Sequence, residues 1–160
     1  LEGDASVAEA LLALPFDHMF FTGSPAIGTV VMAAAAKHLA SVTLELGGKS
    51  PVIIDETADL ALAVRTLAWT KFLNAGQTCI APDHVYVHSA VHERVLELFK
   101  QRLDAWYGGA GALEARDFGR IVNERHALRL ISLLEDARAR GAEVSVRGRV
   151  RPRAALHRTD

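Results

Sequence analysis

The longest apolar stretches of this sequence, such as Val30 to Ala36, fall far short of the roughly 20 residues that a membrane-crossing helix requires. No membrane span is therefore expected. Cysteine is almost absent: Cys79 is the only one, which rules out an internal disulfide. No charged, apolar, small-residue leader opens the chain either, so a reducing, cytoplasmic setting is expected. An excess of one charge is lacking too. The 18 basic and 19 acidic side chains leave a formal charge of −1, which gives no field to gather nucleic acid or an anionic membrane. Neither is expected as a partner. Internal repeats and low-complexity tracts are missing as well. Half of the 160 residues are hydrophobic, enough for one ordinary globular unit or two partial ones.

The order of apolar runs and turn residues predicts alternating helices and strands. Ser6 and Glu9 read as a capping box ahead of the apolar run Ala10 to Leu14, and Pro15 ends that helix. His18 to Gly23 is short, aromatic and glycine-bounded, as a buried parallel strand is. Ser24 suits the N-cap of a second helix and Pro25 its first position, with alanines carrying the helix to about Leu39. Val42 to Leu46 and Pro51 to Asp55 read as strands on either side of Gly47-Gly48, and Asp59 to Asn74 as a helix. His84 to His88 alternates as a strand, and helical spacing returns over Val91 to Tyr107 and Glu124 to Arg140, closed by Gly141. The alternation implies an α/β fold with a parallel sheet. The end, where Arg147, Arg149, Arg151, Arg153 and Arg158 crowd beside Pro152, reads as a frayed terminus rather than an anion-binding strip.

Three features could carry chemistry. In Thr22-Gly23-Ser24-Pro25-Ala26-Ile27-Gly28 a strand passes through a glycine straight into a helix N-terminus, which aims backbone amides and a positive dipole at one place and suits a phosphate. The spacing is neither the dinucleotide fingerprint nor a P-loop, and a tight strand-to-helix turn explains it equally well. Glu45 lies between Leu44 and Leu46, so alternation turns it to the other face of its strand. Most such glutamates are surface groups, but one held in a partly dry cleft next to a flexible Gly47-Gly48 turn could serve as a general base. Cys79 follows the polar turn Asn74 to Thr78 and precedes Pro82. A lone cysteine is commonly a small buried hydrophobe, whereas on a loop it can ionise and attack, with neighbouring amides holding an oxyanion.

Two other groups have plainer explanations. His84, His88 and His92 recur every four residues, yet the first two fall in a strand and no cysteine or carboxylate completes a ligand set, so no metal is expected. Trp69, Phe72 and Leu73 share a helical face ahead of the thiol and read as core, with a lining for an apolar substrate as the alternative.

Taken together, "FFTGSPAIG", "VTLELGGKSPVIID", "NAGQTCIAPD" and "DFGRIVNERH", in this order and at these intervals, resemble the aldehyde dehydrogenase superfamily and most of all its class 3 branch, which includes coniferyl and fatty aldehyde enzymes. The likeness runs from about Leu14 to about Leu134. It implies that Cys79 is the nucleophile, Glu45 the base, and Thr22, Gly23, Ser24 and Gly28 part of the segment receiving the pyrophosphate of NAD or NADP. It also implies an aldehyde substrate and, for full-length relatives, a homodimer.

Members of that family are considerably longer, so the chain resembles an internal fragment: 1–46 the end of a Rossmann-like NAD(P)-binding domain, and 47–160 the start of the catalytic domain. Such a fragment is expected to be inactive by itself. Pro25 stands where the family often has threonine, His84 where class 3 members tend to have tyrosine, and the arginine-rich stretch within 142–160 resembles relatives poorly. Two other readings keep the motifs: an acyl-transferring relative, which would lack the hydrolytic base, and a non-catalytic remnant with exposed sheet edges.

Overall fold

The computed structural model describes residues 1–108 and 119–145, so the arginine-rich stretch read as a frayed end lies outside the described residues. The chain divides into two units, Leu1–Gly48 and Lys49–Asp160. Each is built on a pair of parallel strands.

In the first unit, helix α1 spans Ala5–Leu12, but its cap is Asp4 rather than the expected Ser6. The Asp4 carboxylate accepts from the Ser6 amide at 2.9 Å and from the Ser6 hydroxyl at 2.6 Å, so Ser6 is drawn into the first turn as a donor. These two bonds hold the Asp4 carboxyl below its ordinary pKa. Strand β1, His18–Gly23, passes through Ser24 into helix α2, Pro25–Ala36, and strand β2, Ser41–Leu46, returns parallel to β1. Ser24 caps α2 as expected. The helix stops three residues before the expected Leu39, because Leu39 itself takes a left-handed backbone with φ 55° and the Ala40 amide turns back to the Ala35 carbonyl at 3.1 Å. Met19, Val31 and Ala35 form the core, with Leu12, Phe21, Val42 and Leu44 against them. Gly28 is where α2 comes nearest β2: an added Cβ would stand 3.1 Å from a methyl of Leu46.

In the second unit, strand β3, Ser50–Ile54, pairs in parallel with β4, Pro82–Val87. Between them run helix α3, Leu60–Phe72, and a short 3-10 turn, and after β4 come α4, His92–Tyr107, and α5, Glu124–Ala139. Asp59, Asn123 and left-handed Gly108 supply the caps that end these helices cleanly. The strands hold two prolines because of their placement: Pro82 is the first residue of β4, and the register slips between Ser50 and Pro51 so that Asp83 has no partner in the ladder. Asp83 turns instead to Lys49 at 3.3 Å and His84 at 3.3 Å, and both hold its carboxyl below the ordinary range. Ile54, Val64, Leu67 and Val95 make the core, and Val52, Val87, Leu98 and Phe99 pack on it. The four strands therefore form two separate two-stranded parallel sheets. Among the described residues no helix is long and apolar enough to cross a membrane.

The turn leaving β3 carries a testable pH dependence. Asp55 accepts from the Thr57 hydroxyl at 2.8 Å and the Thr57 amide at 3.0 Å, and these bonds hold its carboxyl below the usual value. A carboxyl whose pKa is lower folded than unfolded adds stability that is complete above the unfolded value of about 3.9 and is lost as pH falls through the folded value. Thr57→Val is thus expected to raise the Asp55 pKa, followed by carbon-detected titration. Its stability deficit should be present near neutrality and shrink as the pH falls through the lowered folded value of Asp55.

Candidate active site

Five of the six residues singled out in the sequence stand at one end of the first unit. Thr22 and Glu45 are register partners at the carboxyl ends of β1 and β2, and Gly23 is opposite Leu46 one step further on. Ligands of parallel sheets bind outside this end. Met19, Phe21, Val42 and Leu44 face α2, so alternation turns Phe20, Thr22, Thr43 and Glu45 to the opposite face. That face is open: Phe20 is 67% exposed, and Thr22 and Glu45 are exposed too.

Directly above the strand ends, the Ser24 hydroxyl accepts from the Ile27 amide at 3.4 Å, and the Ser24 carbonyl from the Gly28 amide at 2.9 Å. Pro25 has no N–H to offer. Among the described residues the Ala26 amide has no partner, which leaves it directed out of the helix at the positive end of its dipole. Gly28 is buried behind this turn, where it packs α2 against Leu44 and Leu46 of β2.

Cys79 belongs to the second unit. It is exposed, and it occupies the second position of a turn closed by the Ala81 amide on the Thr78 carbonyl at 3.0 Å. No partner for the Cys79 amide is found among the described residues. Of the two readings left open, a buried hydrophobe or a loop-borne thiol, the structure has the second. Immediately upstream, Asn74, Ala75 and Gly76 are all left-handed, with φ of 51°, 55° and 77°. For the two with side chains this costs about 1–2 kcal/mol each, a price of conformation that only surrounding contacts can offset.

Those contacts come from a residue that sequence reading passed over. The Gln77 side chain donates to the Asn74 carbonyl at 3.0 Å and to the Arg120 carbonyl at 2.9 Å, while its oxygen accepts from the Val122 amide at 2.9 Å. Asn74 Nδ2 in turn donates to the Gln77 carbonyl at 3.3 Å. Gly119 lies so near this turn that an added Cβ would stand 3.3 Å from the Ala75 nitrogen. Nothing in the spacing joins position 77 to positions 120 and 122, and only the glycine beside an amide-bearing residue in "NAGQTC" hinted at a tight polar turn.

The expected core role of Trp69, Phe72 and Leu73 needs correction. Phe72 meets the rings of Phe99 and Tyr107 at 6.1 and 5.9 Å, but Trp69 is 59% and Leu73 49% exposed. Leu73 lies just past the end of α3, where the backbone leaves the helix at φ −53° and ψ 127°. The three histidines go separate ways, His84 to Asp83, His88 to Glu56 and His92 to Glu93. Among the described residues no group of three His, Cys, Asp or Glu is placed to hold a metal ion.

Comparison with known proteins bears on these features. Residues 1–158 match the model of the "Aldehyde dehydrogenase family". A Mus musculus protein named "Aldehyde dehydrogenase, dimeric NADP-preferring" is 47% identical over 135 residues, which is 84% of this chain and 30% of that protein. The Pongo abelii "Aldehyde dehydrogenase family 3 member A2" is 44% identical over 135 residues, covering 84% of this chain and 28% of that one. Among solved structures, "Substrate bound state of Staphylococcus Aureus AldH" superimposes with a TM-score of 0.89 at 40% identity, over 98% of this chain and 33% of that chain. The chain thus spans about a third or less of the relatives it matches.

Proposed function

We propose, for a chain that belongs to the aldehyde dehydrogenase family, that it is the thiol-bearing part of a nicotinamide-dependent enzyme oxidising an aldehyde to a carboxylic acid. One observation carries the reading: an exposed thiol on a tightly built turn, with its own backbone amide unpartnered among the described residues.

The thiolate of Cys79 adds to the aldehyde carbon, forming a C–S bond and a tetrahedral oxyanion that accepts a hydrogen bond from the Cys79 amide. NAD or NADP, when bound, takes up the hydride that this carbon must lose. The thioester left on Cys79 is hydrolysed by water, whose proton Glu45 removes, and the thiolate departs with the carbon now a carboxylic acid. The unpaired Ala26 amide and the α2 dipole fit the cofactor's pyrophosphate, with Thr22, Gly23 and Ser24 around it. Gly28 assists by letting α2 settle against β2. In this reading residues 1–46 are the end of the cofactor domain and 47–160 the start of the catalytic domain. A cytoplasmic setting, which keeps a lone thiol reduced, belongs to the same reading.

Exposed Trp69 and Leu73 ahead of the thiol favour an aromatic or long aliphatic aldehyde. A second reading, that a chain of this length is inactive alone, is favoured by its coverage of 30% of the mouse relative. The test is acid quenching of a protein of the relatives' length carrying these residues, after mixing with aldehyde and oxidised cofactor. Mass mapping should find an acyl group on the peptide containing Cys79. Turnover with the acyl group on another residue, or none, would refute the assignment.

A further inference from the structure

We propose that Gln77 is a positioning residue for Cys79, fastening the Gly119–Asn123 segment to the left-handed turn that precedes the thiol; this rests on the reading of Cys79 as nucleophile. The Gln77 carboxamide is used completely. Its two N–H groups go to the Asn74 and Arg120 carbonyls and its oxygen to the Val122 amide, so one planar group ties together two backbone stretches far apart in sequence. A backbone bond between the same two residues, Gln77 amide to Asn74 carbonyl at 3.1 Å, closes the turn itself. Gly119 allows the approach, because any side chain there would press on the Asn74–Ala75 backbone. Asn123, at the end of the clasped segment, caps α5 through the His126 amide at 3.0 Å, so the thiol turn is anchored to a whole helix.

A turn of three left-handed residues relaxes when its restraints are removed. The group that suffers most is the Cys79 amide, whose direction matters only when an oxyanion forms. Two reactions of the same thiol separate that role from general loosening. Iodoacetamide alkylation forms a C–S bond and expels iodide without an oxyanion. Acylation by p-nitrophenyl acetate passes through one: the thiolate attacks the carbonyl carbon, the C–O bond breaks, and p-nitrophenolate leaves.

In the full 160-residue chain, Gln77→Ala is expected to slow acylation about tenfold or more while alkylation changes less than about threefold. Gln77→Glu keeps the acceptor for Val122 but sets a carboxylate against two carbonyl oxygens, so its ratio of acylation to alkylation should be low at neutral pH. The ratio should recover as the carboxyl is protonated and can donate again, a pH profile that Gln77→Ala lacks. Equal slowing of both reactions, or slowing of neither, overturns the proposal. If Cys79 is acylated no faster than a cysteine peptide even in a protein of the relatives' length carrying these residues, the nucleophile reading fails separately. Amide exchange then decides the positioning claim: faster exchange at both Val122 and Cys79 in Gln77→Glu supports it, and faster exchange at Val122 alone refutes it.

Discussion

Cys79→Ala is expected to abolish aldehyde oxidation, lowering the rate of nicotinamide reduction by about 10⁴-fold or more in a protein of the relatives' length. The size of the effect follows from what the thiol does. Without a C–S bond there is no tetrahedral carbon from which hydride can leave. Cofactor affinity should be unchanged, because the substitution leaves Thr22, Gly23 and Ser24, the residues proposed to receive the pyrophosphate, as they are. Both are measured together by absorbance of the reduced nicotinamide and by cofactor titration. Retention of more than about one per cent of the activity would show that the oxidation does not pass through Cys79.

Glu45→Gln should fail later in the cycle and so look different. Rapid mixing is expected to give a burst of one equivalent of reduced cofactor per site, after which turnover falls by about 10²–10⁴-fold because the thioester is no longer hydrolysed. The exposed position of Glu45 beside Thr22 leaves it accessible to water, which suits a base that acts on water rather than on the substrate. Unimpaired steady-state turnover would remove Glu45 from the mechanism. A burst followed by rescue with an added thiol acceptor would instead be the behaviour of an acyl-transferring relative.

The parts of this molecule legible in the sequence are those fixed by local chemistry. Ser24 before Pro25 and Gly141 after α5 mark their helix ends because caps act within one turn. Alternation about Leu44 and Leu46 correctly placed Glu45 on the opposite face. Failures came where distant or competing groups decide. Asp4 displaced Ser6 as cap because its carboxylate takes both the Ser6 amide and the Ser6 hydroxyl, and alanine propensity gave no sign that α2 would break before a left-handed Leu39. The parallel sheet segments implied by the alternation are present, but which strands pair is a long-range choice that local pattern left open. The thiol loop was recognised by its motif, whereas its fastening to residues 120 and 122 was not, since no periodicity encodes a single side chain reaching across the fold.

The left-handed turn before Cys79 has a consequence for synthesis. At Ala75, with φ 55° and ψ 30°, the backbone occupies the region natural to a D-residue, so the mirror-image alanine would relieve strain where the L-form stores it. A lone cysteine four positions on is a ready junction for joining a synthetic peptide to the remainder of the chain. Handedness at one α-carbon could thereby be altered while every side chain around the thiol keeps its composition.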